Sequence, residues 1–394
     1  MYRDPNCPIT YDAVPRMNLS LLFHSGYRGP HFPFFDEMLR RGALTMLLCL
    51  SPTGEAPYGG RSNQQNFNEA TIALICESEA SRYQKAGNRK LAGAFKRTAW
   101  VSAQSVRRWL DLRPVRFTKN EFPPESQHGR QKDYGFYAVY SLLIASQFGF
   151  AGWLADPGIA EEPAPYETGG YAIRLGDDFH KIFATCGGYH VEIDTRADLH
   201  YDATGLGRLH KAGAASETAL STPIVSHPDY LVSTSPSLRN VAIGMGWKHR
   251  EKIEWLSDMS SEIRSVDFQP LEENRSRVAF RVIYRSDPSH GTNRETYELT
   301  RRGLKMTCEI DAADDVYFQV PLIETDGTHR SRIEAGGRSL SVSYQGRVYR
   351  VKCLFPEAAI VRLESFTAPN RNGVYRVGVF SAKGNSITCQ LGIE

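Results

Sequence analysis

The stretch 51–69 (SPTGEAPYGGRSNQQNFNE) packs more polar hydrogen-bonding groups into a short span than any neighbouring segment. Arg61 is followed by Asn63, Gln64, Gln65, Asn66 and Asn68, and Glu69 opens an amphipathic run. Part of this is capping chemistry, with Ser62 or Asn63 as N-cap and Glu69 facing the helix dipole. Capping alone leaves the remaining amides beside an arginine without a purpose. A second group, His128, Arg130, Tyr134, Tyr137 and Tyr140, spans one loop and the helix after it. Its tyrosines recur every third position, so they share a side, although a tyrosine stripe is more often packing than chemistry. A third group runs through His180, His190, Asp194, Asp198, His200, Asp202, Arg208 and His210. Alternating imidazole and carboxylate suits a divalent metal. The spacing matches no specific ligand motif, however, and mutual hydrogen bonding is the simpler reading.

Amides, arginine, histidine and tyrosine without a facing carboxylate pair suit β-elimination on a uronic acid. An amide or guanidinium neutralises the uronate carboxylate and stabilises the enolate-like intermediate. A histidine or tyrosine removes the C5 proton, and a tyrosine protonates the departing oxygen. Hydrolysis needs two carboxylates across the bond. Glu55, Glu69, Glu77 and Glu79 are present, but no two of them pair on one helix face.

Two kinds of element must position these groups. As far as about Asp156 the apolar spacing is helical: Phe34, Phe35, Met38, Leu39, Leu44, Leu47 and Leu48, then 67–86, then a face from Leu91 through Phe95, Ser102 and Val106 to Trp109. A fourth helix is predicted from about Lys132 to Phe148, stopping at Gly149. After the Pro/Glu/Gly-rich joint 157–170 the period becomes two. Strands are predicted at 182–185, 190–193, 277–284, 296–300, 304–310, 316–320, 340–344, 347–353, 359–363, 375–380 and 386–391. The expected organisation is a helical domain over 1–160 and an antiparallel β-sandwich over 161–394.

Composition bounds the function. Of 394 residues, 41% are hydrophobic and 23% charged, the balance of an ordinary globular protein. The net charge of +3, without a lysine-rich block, argues against nucleic acid as partner. The seven cysteines are scattered and form no CxxC pair, which argues against a zinc ribbon and a disulfide framework. Neither a signal-peptide pattern nor an apolar run long enough to span a bilayer is visible, so the sequence reads as cytoplasmic, or as secreted if processed or truncated. Nothing in the sequence fixes an oligomeric state.

Several of these segments resemble polysaccharide lyases of the heparinase II/III-like group. They are Gly54-Glu55, Gly59-Gly60-Arg61-Ser62 and Asn68-Glu69-Ala70; Glu77, Glu79 and Tyr83; Ala92-Gly93-Ala94-Phe95-Lys96-Arg97; and the run from His190 through Asp194-Thr195 to 200–208 (HYDATGLGR). The resemblance covers roughly 20–210 and points toward enzymes that split linkages to glucuronic acid, rhamnose–glucuronate ends among them. It implies an (α/α) toroid, complete or incomplete, packed on an antiparallel β-sandwich. It further implies an anionic polysaccharide or oligosaccharide as substrate and no cofactor, with a divalent metal in the β domain as the one alternative. By the same resemblance Asn66 neutralises the carboxylate, Tyr137 or Tyr134 is the acid, and His128 or His190 the base. Arg61, Asn63, Gln64, Gln65, Glu69, Arg130, Tyr140, His200 and Arg208 would contact substrate. Two departures stand out: fewer helices than such toroids contain, and Phe136 and Ser141 where the tyrosine helix was expected to carry a histidine or asparagine. A glycoside hydrolase, a uronyl C5-epimerase and a carbohydrate-binding protein without activity are the competing expectations.

Overall fold

The computed structural model describes residues 8–131, 138–286, 291–311 and 313–394. They form two compact units, one within Met1–Lys119 and Asp133–Thr168, the other within Asn120–Lys132 and Gly169–Glu394. The sequence expectation drew one boundary, at residue 160. The chain passes between the units after Lys119, after Lys132 and after Thr168.

The first unit contains α1 (Pro8–His24), α2 (Phe32–Cys49), α3 (Phe67–Lys85), α4 (Arg89–Leu110), α5 (Ala138–Leu154) and the single turn α6 (Pro165–Thr168). Helix α3 is the hub, with α1, α2, α4 and α5 all packed on it. Ala70, Ala73, Leu74, Cys76 and Ala80 are buried on different sides of α3, because small side chains let neighbours approach from several directions. A ring of paired helices, the expected toroid, is therefore not evident among the described residues, where α3 is surrounded by the others. Glu69 in the first turn of α3 and Arg82 and Lys85 in the last match the helix dipole. Asn88 caps α4, its side-chain oxygen accepting the Leu91 N–H at 3.1 Å.

Helix α4 buries Phe95, Thr98, Ser102, Val106 and Trp109, the face its spacing predicts. Helix α2 does not follow its expected stripe: Leu39, Ala43 and Leu47 are buried, whereas Phe34, Met38 and Leu44 are exposed. The reason lies at Gly42, where an added Cβ would sit 1.3 Å from the Arg16 guanidinium. Arg16, on α1, is buried there in an ion pair with Asp12 at 2.7 Å and also donates to the Leu39 carbonyl. Gly42 thus admits a buried cation rather than weakening the helix. Helix α5 also differs, running through Gly149 and Gly152 to Leu154. Each glycine costs about 1 kcal/mol of helix propensity, which packing against α3 offsets.

The second unit opens with β1 (Tyr171–Arg174), β2 (Lys181–Cys186), β3 (Tyr189–Asp194) and β4 (Gly205–Lys211), an antiparallel sheet in that order. The remaining strands are β5 (Gly244–His249), β6 (Lys252–Trp255), β7 (Ser265–Glu273), β8 (Arg277–Arg285), β9 (Thr292–Thr300), β10 (Gly303–Ile310), β11 (Asp315–Thr325), β12 (Arg332–Gly336), β13 (Ser339–Tyr344), β14 (Arg347–Phe355), β15 (Ile360–Pro369), β16 (Val374–Lys383) and β17 (Ser386–Ile393). They build an eight-stranded sheet, β12-β13-β14-β17-β10-β9-β8-β7, and a five-stranded sheet, β15-β16-β11-β5-β6. All neighbours in the three sheets are antiparallel, and one apolar core takes side chains from each, Val191, Val351 and Val379 among them. Every run predicted as a strand lies within one of these strands, apart from its end residue Ala359.

Candidate functional site

In the helical unit the amide-rich loop is buried and laced to 116–119. Gln65 bridges Thr118, the Asn66 N–H donates to the Phe117 carbonyl at 2.8 Å, and the Lys119 N–H donates to the Gln64 carbonyl. Gly54, at φ +86°, lets this loop approach α4 so closely that a Cβ would lie 2.4 Å from the Val101 carbonyl oxygen. The Asn66 amide nitrogen donates to the Arg116 carbonyl and that of Asn68 to Ser62. The amide oxygens of Gln65, Asn66 and Asn68 are buried without a hydrogen-bond partner. Asn66 thus spends its amide N–H within the loop, on Arg116, and its oxygen is the end left unpaired. Asn63 and Gln64 are buried in the same loop, Gln64 at φ +59°. Arg61 donates to the Tyr11 hydroxyl at 2.9 Å and lies over its ring.

No two of the glutamates were expected to pair on one helix face, and none does among the described residues; Glu55 of the loop and Glu69 of α3 instead converge on one lysine. The Lys119 ammonium lies 2.6 Å from Glu69 and 3.3 Å from Glu55, with all three side chains buried. Glu69 also accepts the Ala56 N–H at 3.0 Å. Burial pushes the Glu69 carboxyl above its ordinary value, Lys119 opposing and Glu55 adding to the push. Helix-face spacing could not reveal this pair, because Glu55 sits in the loop and Lys119 is 50 residues beyond Glu69. Tyr140 stacks between Phe67 and Phe117, with ring centroids 5.2 and 5.4 Å away, and serves packing. Tyr134 and Tyr137 lie outside the described residues.

In the β unit, alternation along β2, β3 and β4 sorts their side chains by chemistry. Ile182, Ala184, Val191, Ile193 and Leu209 face the apolar core. On the opposite face stand Lys181, Thr185, His190, Glu192, Asp194 and Arg208, each at most 1% exposed. An ordinary half-solvated sheet keeps such a face wet, and burying it requires charge pairing. The Lys181 ammonium is 3.0 Å from Asp194, 3.2 Å from Asp202 and 3.4 Å from Glu192. Arg208 holds Glu192 at 3.1 Å and donates to the Ser221 carbonyl. Burial would pull Lys181 down, but its three carboxylates outweigh this and hold it above the usual ammonium value. Asp194 and Asp202 are driven apart. Against burial, His180 and Lys181 keep Asp194 below the usual carboxylate range; burial, opposed by Lys181, pushes Asp202 well above it.

His190 bonds through Nδ1 to the Thr185 hydroxyl at 2.9 Å, and its Nε2 is buried with no hydrogen-bond partner. Burial first, and the nearby Arg208 charge second, pull its pKa down to about 3, so the ring is neutral at physiological pH. The partners that sequence reading missed on this face are Lys181 and Glu192. Glu192 was legible, since it lies two residues from both His190 and Asp194.

His128 lies elsewhere in the β unit. Its Nδ1 accepts the Ser233 N–H at 3.0 Å, and its Nε2 donates to the Asn370 carbonyl at 2.7 Å. Burial lowers its pKa to about 4, and with both ring nitrogens committed it holds loops together. Asn120 joins the same loops by donating to the carbonyls of His128 and Arg371. Arg371, which the sequence reading also missed, donates to Gln131 at 3.0 Å and lies over the Tyr230 ring. Arg130 bonds through its backbone to Gln127 and Leu231. His200 is exposed, hydrogen-bonded to Asp198.

The metal set considered from sequence is not assembled: His180, His190 and His200 turn to Asp194, Thr185 and Asp198 respectively. Among the described residues the donors that converge are Glu121, Asp326 and His329, with ligand atoms within 4.8 Å of one another. One imidazole and two carboxylates form a donor set that zinc accepts.

No family model matches the sequence, and no curated protein matches it. Among solved structures the chain is similar to heparan sulfate lyase HepC from Pedobacter heparinus, at 8% identity and TM-score 0.44, covering 100% of this chain and 61% of that one. It is similar to heparinase III at 9% identity and TM-score 0.41, covering 97% and 60%. It is also similar to the α-N-acetylgalactosaminidase NagBb from Bifidobacterium bifidum, at 11% identity and TM-score 0.35, covering 53% and 36%. The chain spans about three fifths of the length of the two lyases.

Proposed function

We propose that the protein is a polysaccharide lyase that breaks a glycosidic bond to a uronic acid, glucuronate first, by β-elimination. The observation that carries this reading is the buried charged face of β2–β4, where a neutral His190 with an uncommitted Nε2 lies near the Arg208 charge. In this reading Arg208 takes the uronate carboxylate and makes the C5 proton acidic enough to remove. His190 accepts that proton, the C4–C5 double bond forms, and the C4–oxygen bond breaks. For the acid that protonates the departing oxygen the sequence resemblance alone offers Tyr137 or Tyr134, both outside the described residues. The face is closed in this structure, so turnover requires it to open to substrate.

One observation favours hydrolysis instead: Asp194 and Asp202 have carboxyls pushed in opposite directions, as an acid and a base would. Their geometry weighs against it. One ammonium, that of Lys181, lies 3.0 Å from Asp194 and 3.2 Å from Asp202 and fills the space between them, whereas glycosidase carboxyls stand about 5 Å or more apart to admit the bond.

The test is incubation with a panel of glucuronate-containing polysaccharides, following the ultraviolet absorbance of the unsaturated uronate. The parent chain is expected to generate it and His190→Gln, folded by circular dichroism, to lose it. Reducing ends without that absorbance would replace the proposal with hydrolysis. Exchange of the C5 proton without cleavage would replace it with epimerisation, and binding without product would leave a carbohydrate-binding protein.

A further inference from the structure

The helical unit carries a second feature, distinct from its amide-rich loop. A cavity of about 400 Å³ opens between the end of α1, the start of α2 and the last turns of α3. Arg28, Arg82 and Lys85 line it, against a single lining carboxylate, Asp36. Asp36 is occupied with Arg82, at 3.1 Å. Arg28 donates to the Phe23 and Tyr27 carbonyls, and neither it nor Lys85 has a carboxylate partner among the described residues. The charges converge: after burial, Lys85, Arg82 and Arg28 are the causes that lower the His24 pKa.

Two further observations point to a ligand. Ser20 lines the cavity, is 1% exposed, and its hydroxyl has no hydrogen-bond partner. A buried hydroxyl left unsatisfied costs about 1–3 kcal/mol, which a polar partner in the cavity that Ser20 lines would relieve. Phe23 and Phe32 supply apolar wall, and Trp153 of α5, 67% exposed, lies edge-on to the lining His24 at 6.4 Å between ring centroids. An exposed indole beside a cationic, partly aromatic cavity is the combination that holds a ring bearing an anionic group.

We infer that this cavity is a subsite for one sugar residue carrying an anionic group, carboxylate or sulfate, with Arg28 and Lys85 on the anion, Ser20 on a ring hydroxyl and Trp153 against the ring. The choice of a sugar rests on the proposed function; the anion does not. The site lies within the helical unit and is made without any residue of the β2–β4 face.

The experiment is titration of the full chain with glucuronate, glucose 6-sulfate, glucose and inorganic sulfate, read by tryptophan fluorescence and calorimetry. Glucuronate or glucose 6-sulfate is expected to bind and glucose to fail, and which of the two is tighter identifies the anion. Arg28→Ala and Lys85→Ala are each expected to weaken binding roughly five- to tenfold, with the fold retained by circular dichroism, because both residues are exposed. Trp153→Phe should remove most of the fluorescence change. Added salt should weaken binding. Inorganic sulfate binding as tightly as the sugars would overturn the sugar part, and glucose binding equally well would overturn the role of the cations. Full affinity in the Arg28→Ala/Lys85→Ala double variant would place the site elsewhere. Binding in a chain without lyase turnover would retain the subsite and discard the proposed reaction; turnover with no binding loss in these variants would do the reverse.

Discussion

Replacing Lys119 by Met tests whether the amide-rich loop stands on a buried charge. The ammonium lies 2.6 Å from Glu69 and 3.3 Å from Glu55, with side-chain exposures of 2%, 1% and 4%. At an effective dielectric constant of about 20 these contacts are worth about 6 and about 5 kcal/mol before desolvation. Desolvation of three charges offsets most of that, but removing one partner leaves two carboxylates buried together, which costs about 3–5 kcal/mol. The melting temperature of the helical unit should then fall by on the order of 10 °C at neutral pH. Acid should reverse part of the loss. Glu69 already has a carboxyl raised above its unfolded value by burial, and losing Lys119 raises it further. A group raised in the folded state costs stability as pH rises through its folded pKa, so the deficit shrinks on acidification. The double variant Lys119→Met/Glu69→Gln should recover much of the stability at pH 7, since one of the stranded charges is gone. Thermal and urea unfolding of the three chains at neutral and mildly acid pH checks this. A deficit below about 1 kcal/mol, or one independent of pH, would refute the reasoning.

Three other outcomes follow from buried titratable groups and from the candidate acid. His128 falls from 6.5 to about 4 in the folded chain, so its contribution to stability is complete above pH 6.5 and is lost as pH falls toward 4. The β unit should destabilise across that window by about 3 kcal/mol from this residue, and His128→Gln should flatten the pH dependence in urea titrations. Burial raises Glu295 to about 7, with the Tyr297 hydroxyl donating to it at 2.6 Å. Its ionisation costs stability above pH 7, so Glu295→Gln should stabilise at pH 8 by about 2–3 kcal/mol and change little at pH 5, as read by calorimetric melting. Tyr137→Phe should abolish product formation while leaving circular dichroism and melting unchanged; turnover equal to the parent would end its candidacy as the acid.

The strands were legible because alternation survives in the eight-stranded sheet: β8, β10, β14 and β17 each place apolar residues on the core at every second position. Strand β12 was not legible, being almost wholly exposed, with no apolar period to betray it. Helix α2 misled because a glycine and a buried arginine from another helix reset which face is inside, and apolar spacing cannot register a guanidinium. The polar clusters were found as clusters, yet their partners were often wrong. His180, His190 and His200 are near in sequence, but only His190 lies on a strand, and each turns to a different neighbour. Glu55, Glu69 and Lys119, like His128 and Asn370, become neighbours only through chain reversals between residues far apart in sequence.

The order in which the chain visits its two units constrains how the protein can be made and divided. Residues within Asn120–Lys132 belong with the β unit although helical sequence lies on either side of them. Asn120 and His128 obtain partners from Arg371 and Asn370, separated by 251 and 242 residues. On a ribosome that early segment must therefore wait for its partners until the chain has emerged past Arg371. Long closures of this kind slow folding and lengthen the exposure of partly built states. A cut after Thr168 would separate each half from something it needs, leaving His128 on one polypeptide and its acceptor on the other. A plasmid expressing 169–394 alone should thus yield a stable β unit only when the 120–132 segment is supplied, in trans or grafted ahead of Gly169.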